Sequence, residues 1–284
     1  PGETLLGRGF LIAPGGKGAN QAVAASRLGA RTVMIGRVGD DIFGTEMLAH
    51  LNSDGVNTSS VTVEVGMPTG VALITLEDSG ENTIVVASGA NMKVGPGDVE
   101  AVRREMVSAK VVLLQLEIPM EPLTAAAKAA QEHGVTVVLD PAPAQDLPAD
   151  LYSAVDILTP NESEAARLVG FPLSSNKAIE QAARILLARG VRNVLIKLGG
   201  RGAYRADSSG GEFRPAPEVE LIDTVAAGDA FNGGLAAALS EGHGYNTAIS
   251  WALAAGALAV TKSGAQPSLP HRRALLDLLA RATS

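Results

Sequence analysis

The sequence predicts an α/β domain with a mostly parallel central sheet and a small accessory β-sheet. Three observations carry this. Short apolar runs at residues 32–35, 111–116, 136–139, 156–158 and 193–196 alternate with Ala-rich, charge-flecked stretches. Those stretches, clearest at 121–132, 162–169 and 178–188, have helical spacing. Strands alternating with helices imply right-handed crossovers and parallel pairing. Finally, several runs end in a carboxylate, an amide or a glycine turn: Glu117, Asp140, Asn161 and Gly199-Gly200. Open parallel sheets bind ligands outside the carboxyl ends of their strands, so this set points to a cleft.

The elements follow in order. Gly15-Gly16-Lys17-Gly18-Ala19-Asn20 opens an Ala-rich helix reaching about Leu28. It is either a ligand loop with free helix-start N–H groups or a glycine turn with Lys17 in water. It is neither a Walker A loop nor a dinucleotide fingerprint, because Lys17 is followed by Gly18. Residues 61–65, 71–76 and 83–87 are β-rich runs separated by Gly66-Met67-Pro68 and Asp78-Ser79-Gly80-Glu81-Asn82, which is hairpin chemistry. They form either a lid or an edge extension of the main sheet. The C-terminal part reads as successive helices at 228–239, 247–260 and 272–280. No repeat or linker divides residues 1–284, which read as one domain.

Composition narrows the function. The 284 residues carry 23 Lys plus Arg against 30 Asp plus Glu, a net charge of −7. With no basic run, nucleic acid and anionic membrane are excluded as main partners. There are no cysteines. Thiolate nucleophiles and Cys-ligated metals are therefore out, and a reducing, cytoplasmic setting fits. The four His residues make no ligand-spaced pair. No run reaches the ~18 apolar residues of a membrane span.

The most informative segment is Asp223-Thr224-Val225-Ala226-Ala227-Gly228-Asp229-Ala230-Phe231-Asn232-Gly233-Gly234. Small residues lead into a helix whose free N–H groups suit an oxyanion. Asp229 at that start either accepts a hydroxyl proton or only caps the helix. Gly233-Gly234 inside the helix costs roughly 1 kcal/mol per glycine relative to Ala, which implies close approach by another backbone or a ligand.

At these segments the chain resembles the ribokinase family of carbohydrate kinases, also called the phosphofructokinase-B family. Residues 15–22 match the first family signature and residues 223–229 the second. Leu116-Glu117, Pro141-Ala142-Pro143-Ala144, Thr159-Pro160-Asn161-Glu162, Leu198-Gly199-Gly200-Arg201-Gly202 and Gly264-Ala265-Gln266-Pro267-Ser268 match further segments in order. The resemblance implies a three-layer α/β/α fold with a β-sheet lid drawn from about 1–13 and 60–90. It implies ATP-dependent phosphorylation of D-ribose at O5. Asp229 matches the catalytic base, and Ala226, Ala227 and Gly228 match the anion hole. Gly16, Lys17, Gly18, Ala19, Asn20 and Glu117 match the sugar-binding positions. Asn161, Lys197, Leu198, Gly199, Gly200, Arg201 and Gly202, with Gly228 and Asp229, match the nucleotide-binding positions. Glu164 matches the acidic residue that organises Mg²⁺ through water. Asp223, Val225, Ala259, Lys262, Gly264 and Ser268 match the backbone-rich site of a monovalent cation, K⁺. The lid of such proteins also forms a dimer contact, so a homodimer is expected.

Three departures stand beside the match. The family begins with a strand and an Asn-x-Asp sugar-binding segment, and no counterpart precedes Pro1. The natural start is therefore expected upstream, and the 284-residue chain is expected to be unstable or poorly active until those residues are added. Leu253 stands where some relatives place a His near adenine. Asp140 replaces the usual Asn before Pro-Ala-Pro-Ala. The rival readings are another kinase of the family, acting on fructose, deoxyribose or adenosine, and a non-catalytic sugar- or nucleotide-binding regulator. A nicotinamide dehydrogenase would need a glycine fingerprint that is absent.

Overall fold

The computed structural model describes residue 9, residues 12–76 and residues 82–282. The chain opens with α1 (Lys17–Arg27), β1 (Val33–Gly39), α2 (Ile42–Ser53) and β2 (Asn57–Glu64). A hairpin of β3 (Val71–Leu76) and β4 (Asn82–Ala87) follows, then α3 (Pro96–Glu105) and β5 (Val111–Gln115). Next come α4 (Met120–Glu132), β6 (Thr136–Asp140), α5 (Ala149–Ala154), β7 (Ile157–Leu158), α6 (Glu162–Val169), α7 (Asn176–Ala188) and β8 (Asn193–Lys197). The chain ends with β9 (Ala203–Asp207), β10 (Gly210–Arg214), α8 (Ala227–Ser240), α9 (Tyr245–Ala259) and α10 (Arg272–Ala282).

The main sheet has six strands in the order β10-β9-β8-β7-β6-β5. β5 to β8 pair in parallel, as crossover helices require, and β8, β9 and β10 pair antiparallel. Strand alternation sends neighbours to opposite faces. Val137, Leu139, Leu158, Val194 and Ile196 join one core with residues of α3, α4, α5, α6 and α7. Val138, Ile157 and Leu195 join the other with residues of α1, α8, α9 and α10. The result is the expected three layers. Each fully buried Leu or Ile contributes about 1.5–3 kcal/mol relative to exposure.

The accessory β-structure corrects the sequence reading at one strand. Of the three β-rich runs, only those of β3 and β4 pair antiparallel, from Val71↔Ala87 to Leu76↔Asn82. The run at 61–65 belongs to β2, which starts earlier and pairs in parallel with β1, from Val33↔Asn57 to Gly39↔Glu64. The crossover α2 explains this, because it returns the chain in the same direction. The Gly66-Met67-Pro68 stretch therefore redirects the chain between two sheets. The base of the hairpin is pinned by Asp41, which caps α2 at the Gly44 amide (2.9 Å) and also accepts from the Thr69 amide (2.8 Å). Residues 1–8, 10, 11 and 77–81 of the expected lid, the last carrying most of the turn at 78–82, lie outside the described residues.

Candidate active site

Three helix starts and four strand ends build the site. α1 begins at Gly16, whose φ of 86° is a left-handed conformation that glycine adopts without a Cβ penalty. Gly16 offers no side chain to cap the helix. Glu117, two residues beyond β5, supplies the acceptor instead: its carboxylate takes the Lys17 amide at 2.9 Å. Gly18 keeps α1 close to β5, since a Cβ there would stand 3.2 Å from the Gln115 side chain. The next residues, Ala19, Asn20 and Gln21, are buried.

α8 begins at Ala226 in a left-handed backbone conformation, φ 59°. That geometry costs a non-glycine residue about 1–2 kcal/mol, and such strain concentrates at functional sites. The Ala227 amide bonds the Thr224 carbonyl, and the Ala230 amide bonds that of Ala226. No acceptor among the described residues is bonded to the amides of Gly228 and Asp229. Two N–H groups at a helix start are thus available to an anion.

Asp229 is 6% exposed. It does not cap its own helix. Its carboxylate accepts from Asn20 Nδ2 at 2.9 Å and from Gln21 Nε2 at 3.1 Å, both on α1. The capping alternative is therefore set aside. Burial pushes the Asp229 carboxyl above its ordinary value; the Lys17 charge and the Asn20 bond oppose this. Lys17 shows the reverse balance. Burial disfavours its ammonium, but Asp229, Asp140, Glu117 and Glu164 outweigh that and raise its pKa. Lys17 is half-buried and stays charged in the field of these four carboxylates, with no direct ion pair to any of them among the described residues.

Asn161 and Glu164 form a reciprocal cap at the start of α6. The Glu164 amide donates to Asn161 Oδ1 at 2.8 Å, and Glu164 accepts from the Asn161 amide at 2.7 Å and from Asn161 Nδ2 at 2.9 Å. Burial raises the Glu164 pKa, with the Lys197 charge opposing it. After β8, the chain turns through Leu198, Gly199, Gly200, Arg201 and Gly202. Leu198 is buried. Arg201 turns away to Glu162. Gly202 is dictated by packing, because a Cβ there would stand 2.0 Å from the Arg214 carbonyl oxygen.

Asp223 ties the loop before α8 to the loop after α9. It accepts from the Gly264 amide at 2.8 Å and from the Val225 amide at 3.0 Å, and these two bonds hold its pKa below the ordinary carboxylate value. The Ile222 amide also reaches the Val260 carbonyl at 2.8 Å. The stretches containing Asp223, Val225, Ala259, Lys262 and Gly264 thereby meet. Ser268 follows in a short 3₁₀ turn, with its hydroxyl donating to the Ala265 carbonyl. Leu253 is buried in the helical core.

Two residues that the sequence reading left without a role are central here. Gln21 bonds Asp140 Oδ2 at 2.9 Å as well as Asp229, and accepts from Gln115 Nε2 at 2.6 Å. Asp140 is 2% exposed and pairs with Lys197 at 2.7 Å. A polar pair, Asn20-Gln21, inside an otherwise Ala-rich buried helix was the available signal.

Comparison with known proteins identifies the family. The family model described as pfkB family carbohydrate kinase matches residues 1–272. A ribokinase of Haemophilus influenzae is 41% identical, covering 99% of this chain and 92% of the relative. A deoxyribokinase of Salmonella typhi is 36% identical, covering 95% and 88%. The solved structure of Arabidopsis thaliana ribokinase complexed with ribose and ATP superposes with a TM-score of 0.91, at 36% identity, over 98% of this chain and 91% of that one. A match of this extent, carried through both signature segments, means that the chain belongs to the pfkB family of carbohydrate kinases.

Proposed function

We propose that this protein transfers the γ-phosphoryl group of ATP to O5 of D-ribose. The single observation that carries this is the placement of Asp229. Its carboxylate is buried at the first turn of α8, is oriented by Asn20 and Gln21, and stands beside two available amides. Relatives called ribokinase and the ribose- and ATP-bound neighbour support the choice of substrates.

Asp229 accepts the proton as the sugar hydroxyl attacks phosphorus. The new O–P bond forms, the bond to the β,γ-bridging oxygen breaks, and its electron pair leaves on ADP. The helix-start amides receive the charge that spreads over the phosphoryl oxygens. Lys17, Asn20 and Glu117 present mixed donors and acceptors to the sugar hydroxyls. Asn161 and residues 197–202 flank the nucleotide.

Magnesium fits Glu164 only at a distance. Both its carboxylate oxygens are engaged by Asn161, and no group of three acidic or His side chains poised for a metal occurs among the described residues. That suits an ion held by phosphates and waters. When bound, it neutralises phosphate charge. Potassium fits the convergence of residues 223–225 and 259–264, where carbonyls outnumber side-chain ligands. We assign it the role of shaping the backbone beside α8.

The hairpin supports a lid that pairs with a second copy. Leu73, Ile74, Val85 and Val86 are all exposed, so among the described residues both faces of β3–β4 present apolar side chains. A cytoplasmic setting follows from the need for ATP and the lack of cysteines; among the described residues no helix is long and apolar enough to cross a membrane. Deoxyribose is the second reading, favoured by the 36% identical deoxyribokinase. Turnover of ribose, deoxyribose, fructose and adenosine, followed through ADP formation, tests the choice. Ribose is expected to give the highest kcat/KM. A higher value for another acceptor replaces ribose in this account.

A further inference from the structure

Lys197 closes β8, and its backbone is fixed by the protein itself. Its amide bonds the Pro160 carbonyl at 2.8 Å, and it bridges to Asn161 across the sheet end. The side chain turns inward and is 13% exposed. Its ammonium lies 2.7 Å from Asp140 Oδ1. The same ammonium also lies against the start of α8, for a Cβ placed on Gly228 would stand 3.3 Å from Nζ. Glycine at 228 therefore leaves this cation room beside the available amides. An ammonium carries three N–H donors. Among the described residues, Asp140 is the only acceptor bonded to it. The other oxygen of Asp140 receives Gln21, which also holds Asp229. One chain of contacts thus runs from Lys197 through Asp140 and Gln21 to Asp229, and both its ends lie at the first turn of α8.

We propose that Lys197 contacts the γ-phosphoryl group during transfer, donating from its ammonium to a non-bridging oxygen, and that Asp140 positions it there. This deepens the kinase reading and rests on it. Lys197 keeps its protons throughout. The acceptor's proton goes to Asp229, and the electron pair of the broken bond stays on ADP.

A lysine present only to neutralise a buried Asp140 is replaceable by a neutral pair, often without loss. The test uses the purified chain carrying Lys197→Met, and separately Asp140→Asn with Lys197→Met. Both are expected to lower kcat about 10²–10³-fold, with ribose KM changed by less than about threefold. Calorimetry supplies a second readout. In wild type a non-hydrolysable ATP analogue should bind more tightly than ADP, and both variants should lose about tenfold of that preference. Recovery of the double variant to wild-type kcat, or an unchanged preference for the analogue, overturns the proposal. Failure of the kinase reading appears differently, as no sugar turnover by the wild-type protein even with the expected upstream residues included, and the calorimetric arm still decides the Lys197 contact.

Discussion

Gly233 of α8 lies directly on Ala24 of α1: a Cβ built on Gly233 would stand 2.4 Å from the Ala24 Cβ and 2.9 Å from the Ala25 amide nitrogen. One helix turn earlier on each element, Asn20 and Gln21 meet Asp229. The close approach of the two helices therefore sets the distance between the base and the side chains that orient it.

Gly233→Ala should show this. The substitution gains about 1 kcal/mol of helix propensity but overpacks the contact, at a cost of roughly 1–3 kcal/mol. A lower Tm is expected together with a reduced kcat, since the helices must separate by more than the site tolerates. Calorimetric melting and steady-state turnover check it; a Tm at or above wild type contradicts the packing argument.

The raised pKa of Asp229 has two consequences of opposite kind. For activity, the base must be ionised, so kcat/KM should fall on the acid side at a pH above the ordinary Asp value of 3.8. For stability, a raised folded pKa means that the protonated form favours folding. That contribution is full below the unfolded pKa and is lost as pH rises through the folded one. Ionised Asp229 therefore costs stability at neutral pH. Asp229→Asn should melt higher than wild type at pH 8, with the gain disappearing in acid. The introduced amide can be accommodated because Asn20 Oδ1 has no partner among the described residues and can accept from it after a flip. A lower Tm for this variant at pH 8 contradicts the assignment.

Arg27 closes the far end of α1. It pairs with both Asp54 oxygens, at 2.6 and 3.0 Å, and donates to the carbonyls of Gln266 and Leu269. It thereby joins α1 to the turn after α2 and to the segment carrying Ser268. Arg27→Ala should destabilise the protein by about 2–3 kcal/mol, seen as a Tm lower by roughly 5–10 °C. A change under about 1 kcal/mol would mean that solvent replaces these bonds.

Asp223 provides the test of the cation. If K⁺ shapes the loop beside α8, replacing it with Li⁺ should lower kcat several-fold while ribose KM changes little. Asp223→Ala should remove the difference between the two ions, because the clasp to Gly264 and Val225 is gone. An Asp223→Ala enzyme that still prefers K⁺ contradicts the placement.

Much of this was readable from the chain, for local reasons. Gly16, Lys17 and Asn20 sit in one short stretch, and Ala226, Ala227, Gly228 and Asp229 in another. Their spacing fixes two helix starts. The expected close approach at Gly233-Gly234 is met by neighbouring helices: Ala24 on α1 for Gly233, and Trp251 and Ala255 on α9 for Gly234. What escaped was non-local. The parallel partner of β2 depends on how α2 carries the chain back, which the apolar run at 61–65 does not encode. The Asp140–Lys197 pair spans 57 positions, and Gln21 gains its role only when β6 and α8 converge on it. The hairpin β9–β10 was not read from the sequence, and its antiparallel return breaks the alternation that organised the reading.

The most direct test of the central claim is a paired assay of the wild-type protein and Asp229→Asn, each carrying the expected upstream residues, with ribose, ATP and Mg²⁺, reading ADP and sugar phosphate together. Wild type should form one ribose 5-phosphate per ADP. The variant should bind ribose with similar affinity and turn over about 10²–10⁴-fold more slowly. Equal turnover by the two, or ADP formed without phosphorylated sugar, would contradict Asp229 as the base.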